Sequence, residues 1–187
     1  MAFFSQYGSE IYGVTGTLRC EYTRAFVSKT FGVDFIRVPR FRERRFEVKA
    51  PLVGQNYVDW LQLVGRQVIH IAVEIERPVL VISESVQEVD SLNAQILSQL
   101  IKLQKEVEIH LYTDDAESDY FINAVRGSEN NIDRAMIILA TNLAGRGTDL
   151  PVSDSISVRG GLHVIISFMP ANSRVQRQNF GRPAHAK

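Results

Sequence analysis

Residues 134–150 read R-A-M-I-I-L-A-T-N-L-A-G-R-G-T-D-L, an apolar run followed at once by a glycine-rich turn. The run at residues 134–139 is typical of a strand that is buried on both faces of a parallel sheet. The turn contains Gly145, Arg146, Gly147 and Asp149. Glycine lets backbone N–H groups approach an anion, and arginine can bind a phosphate or a carboxylate through two N–H groups. We therefore predict a ligand site at the carboxyl end of this strand; the alternative is a glycine turn with a solvated ion pair.

Apolar stretches of strand length alternate with helical patterns along the rest of the chain. Further strands are predicted at residues 11–14, 33–38, 79–82, 107–111 and 162–167, and helices at residues 18–30, 57–76, 86–105 and 115–125. This alternation predicts an α/β fold with a parallel sheet and right-handed crossovers. Ser83 or Ser85 is expected to cap the helix at residues 86–105, and residues 151–159 are expected to form a polar loop.

Composition limits the classes of function. The chain has 187 residues, 45% of them hydrophobic, which is enough for one core and predicts one domain. Its 21 basic and 21 acidic residues balance, so a generic basic nucleic-acid binder is not indicated. The single cysteine, Cys20, excludes an intrachain disulfide bond, and the four histidines lack metal-ligand spacing, so no metal site is predicted. No signal peptide and no apolar run of roughly 20 residues is found, which predicts a soluble intracellular protein.

Two other stretches allow more than one interpretation. Residues 40–49, R-F-R-E-R-R-F-E-V-K, could form a surface for nucleic acid or an acidic partner. Because Glu43 and Glu47 dilute the positive charge, we favour a solvated, extended segment. Asp114 and Asp115 follow a predicted strand and could form a metal or ribose site, but we favour a cap at the start of the next helix.

Three motifs occur in a fixed order. They are G-V-T-G-T at residues 13–17, A-T-N-L-A-G-R-G-T-D-L at residues 140–150, and G-G-L-H-V-I at residues 160–165, which leads to Q-N-F-G-R at residues 178–182. Together they resemble the SecA preprotein translocase motor ATPases, specifically the second RecA-like nucleotide-binding domain. The resemblance covers nearly the whole chain. It implies a RecA-like, P-loop NTPase-type α/β fold, in which a parallel sheet is flanked by helices.

The resemblance also implies roles for particular residues in an ATP cleft between two RecA-like domains. One edge of the cleft would be formed by the residues similar to helicase-type motif V, which are Gly145, Arg146, Gly147, Thr148 and Asp149. The residues similar to motif VI are Gln178, Gly181 and Arg182. The turn that couples the state of the nucleotide to the domain junction would be Thr15, Gly16 and Thr17. An arginine that faces the γ-phosphate stabilises charge that develops during phosphoryl transfer.

The chain departs from the family pattern in two respects. Motif VI of the family reads Q-x-x-G-R-x-x-R, and here His185 replaces the second arginine while Pro183 interrupts the segment. No G-x-x-x-x-G-K-[ST] phosphate loop (Walker A) and no metal-binding acidic pair (Walker B) is recognised in the sequence. We therefore expect no ATP hydrolysis by this chain alone, and expect ATP or ADP with Mg²⁺ to bind only together with a first RecA-like domain.

These inferences give a leading hypothesis and two alternatives. Residues 1–187 are predicted to form the second motor domain of a SecA-like ATPase, with residues 1–17 at the junction to the first domain and residues 183–187 as a disordered tail. The partners would be the first domain and, by family, a preprotein or membrane translocon, which implies a cytoplasmic or peripheral membrane location. Nucleic acid is not an expected partner. Self-association of the fragment is a risk, because the missing first domain would cover an apolar face. The alternatives are a non-catalytic protein-binding module and the C-terminal half of a superfamily 2 nucleic-acid helicase.

Overall fold

A computed structural model describes residues 6, 12–14, 21–39, 47–113, 131–142 and 150–170 of the chain. In chain order the helices are α1 (Glu21–Phe31), α2 (Tyr57–Ile69, continued by a π-helical turn, His70–Glu74), α3 (Val86–Leu103) and α4 (Asp154–Val158). The strands are β1 (Val79–Ser83), β2 (Ile109–Tyr112), β3 (Ile137–Thr141) and β4 (His163–Ile166). They form one sheet in the order β2-β3-β1-β4, with every neighbouring pair parallel. This confirms the predicted α/β class and is consistent with a RecA-like fold.

The sheet separates two apolar layers, because successive side chains of each strand point to opposite faces. On the first face, α2 and α3 pack against Val79, Val81, Ile137 and Leu139. On the second face, Leu80, Ile82, Ile138 and Ala140 pack with residues of the connecting segments, among them Ile132, Leu150 and Leu162. The two central strands, β1 and β3, are therefore buried on both sides, as their unbroken apolar sequences predict.

Helix starts follow the expected capping chemistry. Asn56, Ser85 and Ser153 are the N-caps of α2, α3 and α4, and each side chain accepts a hydrogen bond from the backbone N–H three residues later. Such a bond satisfies one of the backbone donors that a helix start leaves unpaired. Of the two serines considered as the cap of α3, Ser85 is the one that fills this role.

Some of the predicted elements are wrong. Residues 12–14 and 33–38 belong to no strand, and Val14, Ile36 and Val38 are 104%, 92% and 82% exposed. An apolar run becomes a strand only when a neighbouring strand supplies hydrogen bonds, which the local sequence does not encode. The polar loop predicted at residues 151–159 contains α4, because Ser153 caps it and Ile156 is buried. The predicted helix at residues 115–125 lies outside the described residues.

None of the helices in the described ranges combines the length and the apolar character that a bilayer crossing requires.

Candidate functional site

The carboxyl ends of the parallel strands meet at one edge of the sheet, which we call the carboxyl edge. At this edge β1 ends at Ser83, β3 at Thr141 and β4 at Ile166. The residues from Gly145 to Asp149 follow β3 after a short interval but lie outside the described residues. The structure therefore describes the strand that leads into the predicted site and not the site residues themselves.

The chain leaves β1 and β3 toward opposite faces of the sheet. After β1 it forms α3, which packs on the first face through Val89 and Leu92. After β3 the connection to β4 packs on the second face through Leu150 and Val152. In open α/β sheets, ligands bind outside the carboxyl ends of strands at the point where the connections diverge in this way. The divergence between β1 and β3 identifies the carboxyl edge as the candidate site.

Backbone hydrogen bonds hold the ends of three strands together at this edge. The N–H of Asn142 donates to the carbonyl oxygen of Ser83 over 2.9 Å, which extends the pairing of β3 with β1. The N–H of Ser167 donates to the carbonyl oxygen of Ile82 over 3.0 Å, which extends the pairing of β4 with β1. The start of the segment that leads to Gly145 is thus fixed relative to β1.

Ser83 and Thr141 are the two buried polar residues in the part of the chain that the structure describes, and they are partners in the β1–β3 register. Their position places two hydroxyl groups side by side where the apolar interior reaches the carboxyl edge. Ser83 is 0% exposed, and its hydroxyl has no hydrogen-bond partner. A buried hydroxyl without a partner costs about 1–3 kcal/mol. The sequence offered Ser83 only as a helix cap, so this role was missed.

Replacing Ser83 by alanine is expected to raise the free energy of unfolding by about 1 kcal/mol, because the variant removes a buried donor that makes no bond. The matched variant is S85A, two residues away, which removes the α3 cap and is expected to lower the same free energy by about 1 kcal/mol. Urea unfolding followed by far-UV circular dichroism measures both variants. Destabilisation by S83A would show that the hydroxyl is hydrogen-bonded in the native chain.

The start of α3 adds a second group of polar contacts to the carboxyl edge. The Ser85 hydroxyl accepts from the N–H of Glu88 over 3.3 Å, while one carboxylate oxygen of Glu88 accepts from the N–H of Glu84 over 2.8 Å. The same carboxylate oxygen of Glu88 lies 3.4 Å from the hydroxyl of Ser167, at the end of β4. One carboxylate therefore contacts both the loop after β1 and the segment after β4.

The motif G-G-L-H-V-I lies at the opposite, amino edge of the sheet. Gly160 and Gly161 have φ angles of +103° and +72°, which glycine adopts without the strain of a Cβ atom. The Arg77 side chain donates to both of their carbonyl oxygens, through Nη2 to Gly160 over 2.6 Å and through Nε to Gly161 over 3.0 Å. These glycines therefore shape the turn into β4 and do not line the carboxyl edge.

His163, the first residue of β4, lies half-buried beside this turn. Burial lowers the pKa of its imidazole to about 4, and the nearby charges of Arg77 and Lys49 act in the same direction. Burial likewise lowers the pKa of the Arg77 guanidinium, which the carboxylate of Glu47 opposes. Burial is the main cause of both shifts, since it disfavours the charged form of each group.

The variant H163Q is expected to make stability less sensitive to acid. In the unfolded chain His163 has its ordinary pKa of 6.5, so between pH 6.5 and pH 4 the unfolded state binds a proton that the native state excludes. The free energy of unfolding of the wild type therefore decreases as the pH falls through this window. The decrease is about 1–2 kcal/mol after solvent screening, and H163Q is expected not to show it. Urea unfolding at pH 7 and pH 4.5 gives the comparison. Equal acid sensitivity of the two proteins would contradict the burial argument.

A separate ionic cluster joins β2 to the start of β3. The two carboxylate oxygens of Glu108 lie 2.7 Å from Nε of Arg134 and 2.8 Å from Nε2 of His110. The hydrogen bond from Arg134 lowers the pKa of Glu108 below its usual value. In the described residues, no three His, Cys, Asp or Glu side chains come together as metal ligands. The cluster links the segment before β2 to the segment before β3.

The remaining predicted site residues cannot be placed. The coupling turn (Thr15, Gly16, Thr17) and the motif VI segment (Gln178, Gly181, Arg182, with His185) lie outside the described residues, as do Thr148, Asp114 and Asp115. Residues 40–46 of the basic segment lie there as well. The structure adds Ser83 and Glu88 at the carboxyl edge. Glu88 had one signal in the sequence, the S-x-x-E spacing from Ser85 that is typical of a helix start.

Comparisons with known proteins give a consistent result over almost the whole chain. The chain is 29% identical over 180 residues to the protein translocase subunit SecA 2 of Nitrosospira multiformis, an alignment that covers 96% of this chain and 25% of that protein. It is 30% identical over 170 residues to SecA 2 of Magnetococcus marinus, which covers 91% of this chain and 24% of the relative. It is 28% identical over 180 residues to the SecA subunit of Syntrophomonas wolfei, an alignment that covers 96% of this chain and 20% of that subunit.

The chain is SecA-like. This confirms the family resemblance drawn from the three motifs. No protein-family model matches the chain. The SecA-like chain spans a quarter or less of the length of these relatives.

Proposed function

We propose that this SecA-like chain is the second RecA-like half of a protein-translocating ATPase and contributes one wall of an interdomain ATP site. The observation that carries the proposal is the position of β3. This strand ends beside Ser83 at the edge where the connections diverge, and the chain then continues directly into Gly145–Asp149. The relatives are named protein translocase subunits, which supports the same assignment.

The phosphate contacts of the proposal come from motif V. The start of α3 does not supply them, because the carboxylate of Glu88 already accepts from the N–H of Glu84 there and would repel an anion. In the proposal the glycines of motif V let the backbone approach the nucleotide, Arg146 neutralises phosphate charge and Asp149 accepts from a ribose hydroxyl or an arginine.

The segment that follows β4 leads to the second part of the proposed site. Because β4 ends at the carboxyl edge, the chain sets out toward Gln178, Gly181 and Arg182 from the same side of the sheet as motif V. In the proposal Arg182 faces the nucleotide, and Thr15, Gly16 and Thr17 transmit closure to the domain junction. The first domain supplies the phosphate loop and the ligands of Mg²⁺, so this chain alone does not hydrolyse ATP.

Isothermal titration calorimetry tests the proposal. ADP and a non-hydrolysable ATP analogue, each with Mg²⁺, are titrated into the chain, into a separately produced first RecA-like domain of a SecA 2 relative, and into their mixture. The mixture is expected to bind at least tenfold more tightly than the first domain alone, since two walls then contact the ligand. The variant R146A is expected to remove this gain, and R66A, which removes an exposed arginine of α2, is expected to retain it. Equal affinity of the mixture and the first domain would refute the half-site.

The exposed surface of α1 favours one alternative, a non-catalytic protein-binding module. This helix has no buried residue, and Tyr22 and Phe26 are 88% and 51% exposed. Exposed apolar side chains on one helix are typical of a surface that another protein covers. The calorimetric experiment also separates the two functions, because a binding module predicts no gain in nucleotide affinity when the chain is mixed with the first domain.

A further inference from the structure

The N-terminus of α3 departs from the usual capping arrangement. In a capping box the glutamate at the third helical position accepts a hydrogen bond from the N–H of the cap residue itself. Here Glu88 accepts instead from the N–H of Glu84, the residue before the cap Ser85, over 2.8 Å. Compared with a capping box, the carboxylate therefore lies farther from the helix start, over the loop that follows β1.

The displaced carboxylate reaches the end of β4. Its oxygen lies 3.4 Å from the Ser167 hydroxyl, and that hydroxyl also lies 3.2 Å from the carbonyl oxygen of Ile82. The N–H of Ser167 donates to the same carbonyl over 3.0 Å. Because a hydroxyl has one proton, it donates to one of these two oxygens at a time. The N–H holds Ser167 to β1 when the hydroxyl donates to Glu88, and the chain leaves the sheet from this point.

We propose that Glu88 is a positioning residue, which fixes the departure of the segment after β4 relative to the loop after β1. A hydrogen bond to a charged acceptor is stronger than one between neutral groups. Glu88 therefore sets the direction in which the chain leaves Ser167. This proposal rests on the proposed function in one respect: Glu88 then also shapes the carboxyl edge, at which the nucleotide is proposed to bind.

Hydrogen exchange followed by mass spectrometry tests the positioning role in the full chain without any ligand. In E88A the amides of peptides that begin at Ser167 are expected to exchange about tenfold faster, because the charged acceptor is lost. E88Q keeps an acceptor oxygen and is expected to stay within twofold of the wild type. The control E84A removes a neighbouring carboxylate but keeps the backbone donor, and it is expected to exchange like the wild type.

The variant S167A separates the link from simple helix capping. If Glu88 acts through Ser167, S167A also accelerates exchange after β4, and the double variant E88A/S167A exchanges no faster than the faster single variant. If Glu88 only caps α3, E88A accelerates exchange at residues 84–90 alone and S167A leaves that peptide unchanged. This second pattern would overturn the proposal.

Nucleotide affinity of the mixture with the first domain gives the functional readout. E88A is expected to weaken binding about fivefold, while E88Q and E84A bind like the wild type. Unchanged affinity in E88A would overturn the functional part of the proposal. Absence of binding by the wild-type mixture would refute the ATP half-site itself, and the exchange experiment would still decide whether Glu88 positions the segment after β4.

Discussion

The variant R77M is expected to lower the free energy of unfolding by about 3 kcal/mol. Arg77 lies between α2 and β1, and its guanidinium donates to the carbonyl oxygens of Gly160 and Gly161 at the turn into β4. Methionine preserves most of the apolar stem but leaves both carbonyl oxygens without this donor in a partly buried place. The turn before β4 then loses its side-chain attachment to Arg77, while the backbone pairing of β4 with β1 remains. The loss is expected to appear in urea unfolding at neutral pH.

The matched control is R159M at the same edge of the sheet. Arg159 contacts the carboxylate of Glu76 over 3.0 Å, but the two side chains are 48% and 67% exposed. Exposed ion pairs contribute about 0–1 kcal/mol, so R159M is expected to remain close to the wild type. A similar small effect of R77M would mean that water replaces the lost donor. R77M also removes a positive charge beside His163, so the pKa of that imidazole is expected to rise in the variant, which NMR titration measures.

The parts of the fold that the sequence predicted are those whose pattern is local. Helix α3 was recognised from its apolar stripe and its cap at Ser85, since both signals lie within a few residues. Strands β1 and β3 were recognised because a strand buried on both faces is continuously apolar. Residues 33–38 have a similar apolar content, yet they form no strand. Asp34 and Arg37 interrupt that run, and no strand in the described residues pairs with it.

For the candidate site too, local sequence patterns gave predictions and long-range contacts did not. The glycines and charges after β3 predict a site at the carboxyl edge, and this stays a prediction because Gly145–Asp149 lie outside the described residues. The unpaired hydroxyl of Ser83 had no signal, since its environment depends on the register with Thr141. Arg77 was missed for a related reason: its carbonyl partners at Gly160 and Gly161 are more than 80 residues away. Long-range contacts of this kind require the sheet order, which the sequence pattern alone did not provide.

The variant H185R is expected to increase the rate of ATP hydrolysis by the mixture of this chain with a first RecA-like domain. His185 occupies the position of the second arginine in the Q-x-x-G-R-x-x-R pattern. An arginine that reaches the transferring phosphoryl group contributes on the order of 10³–10⁵ in rate, and imidazole lacks the forked donors that supply this stabilisation. We expect a gain of at least about tenfold in kcat, measured by release of inorganic phosphate, with little change in KM.

Two further variants make this result specific. H70R adds the same charge at an exposed histidine in the π-helical turn and is expected to leave the rate unchanged. Pro183 stands between Arg182 and His185 and fixes the backbone there, so P183A/H185R is measured beside the single variant. If only the double variant gains activity, Pro183 is what prevents an arginine at residue 185 from reaching the phosphate. No gain in either variant, in a mixture that binds nucleotide, would show that residue 185 does not face the γ-phosphate, and Arg182 would then be the arginine to replace.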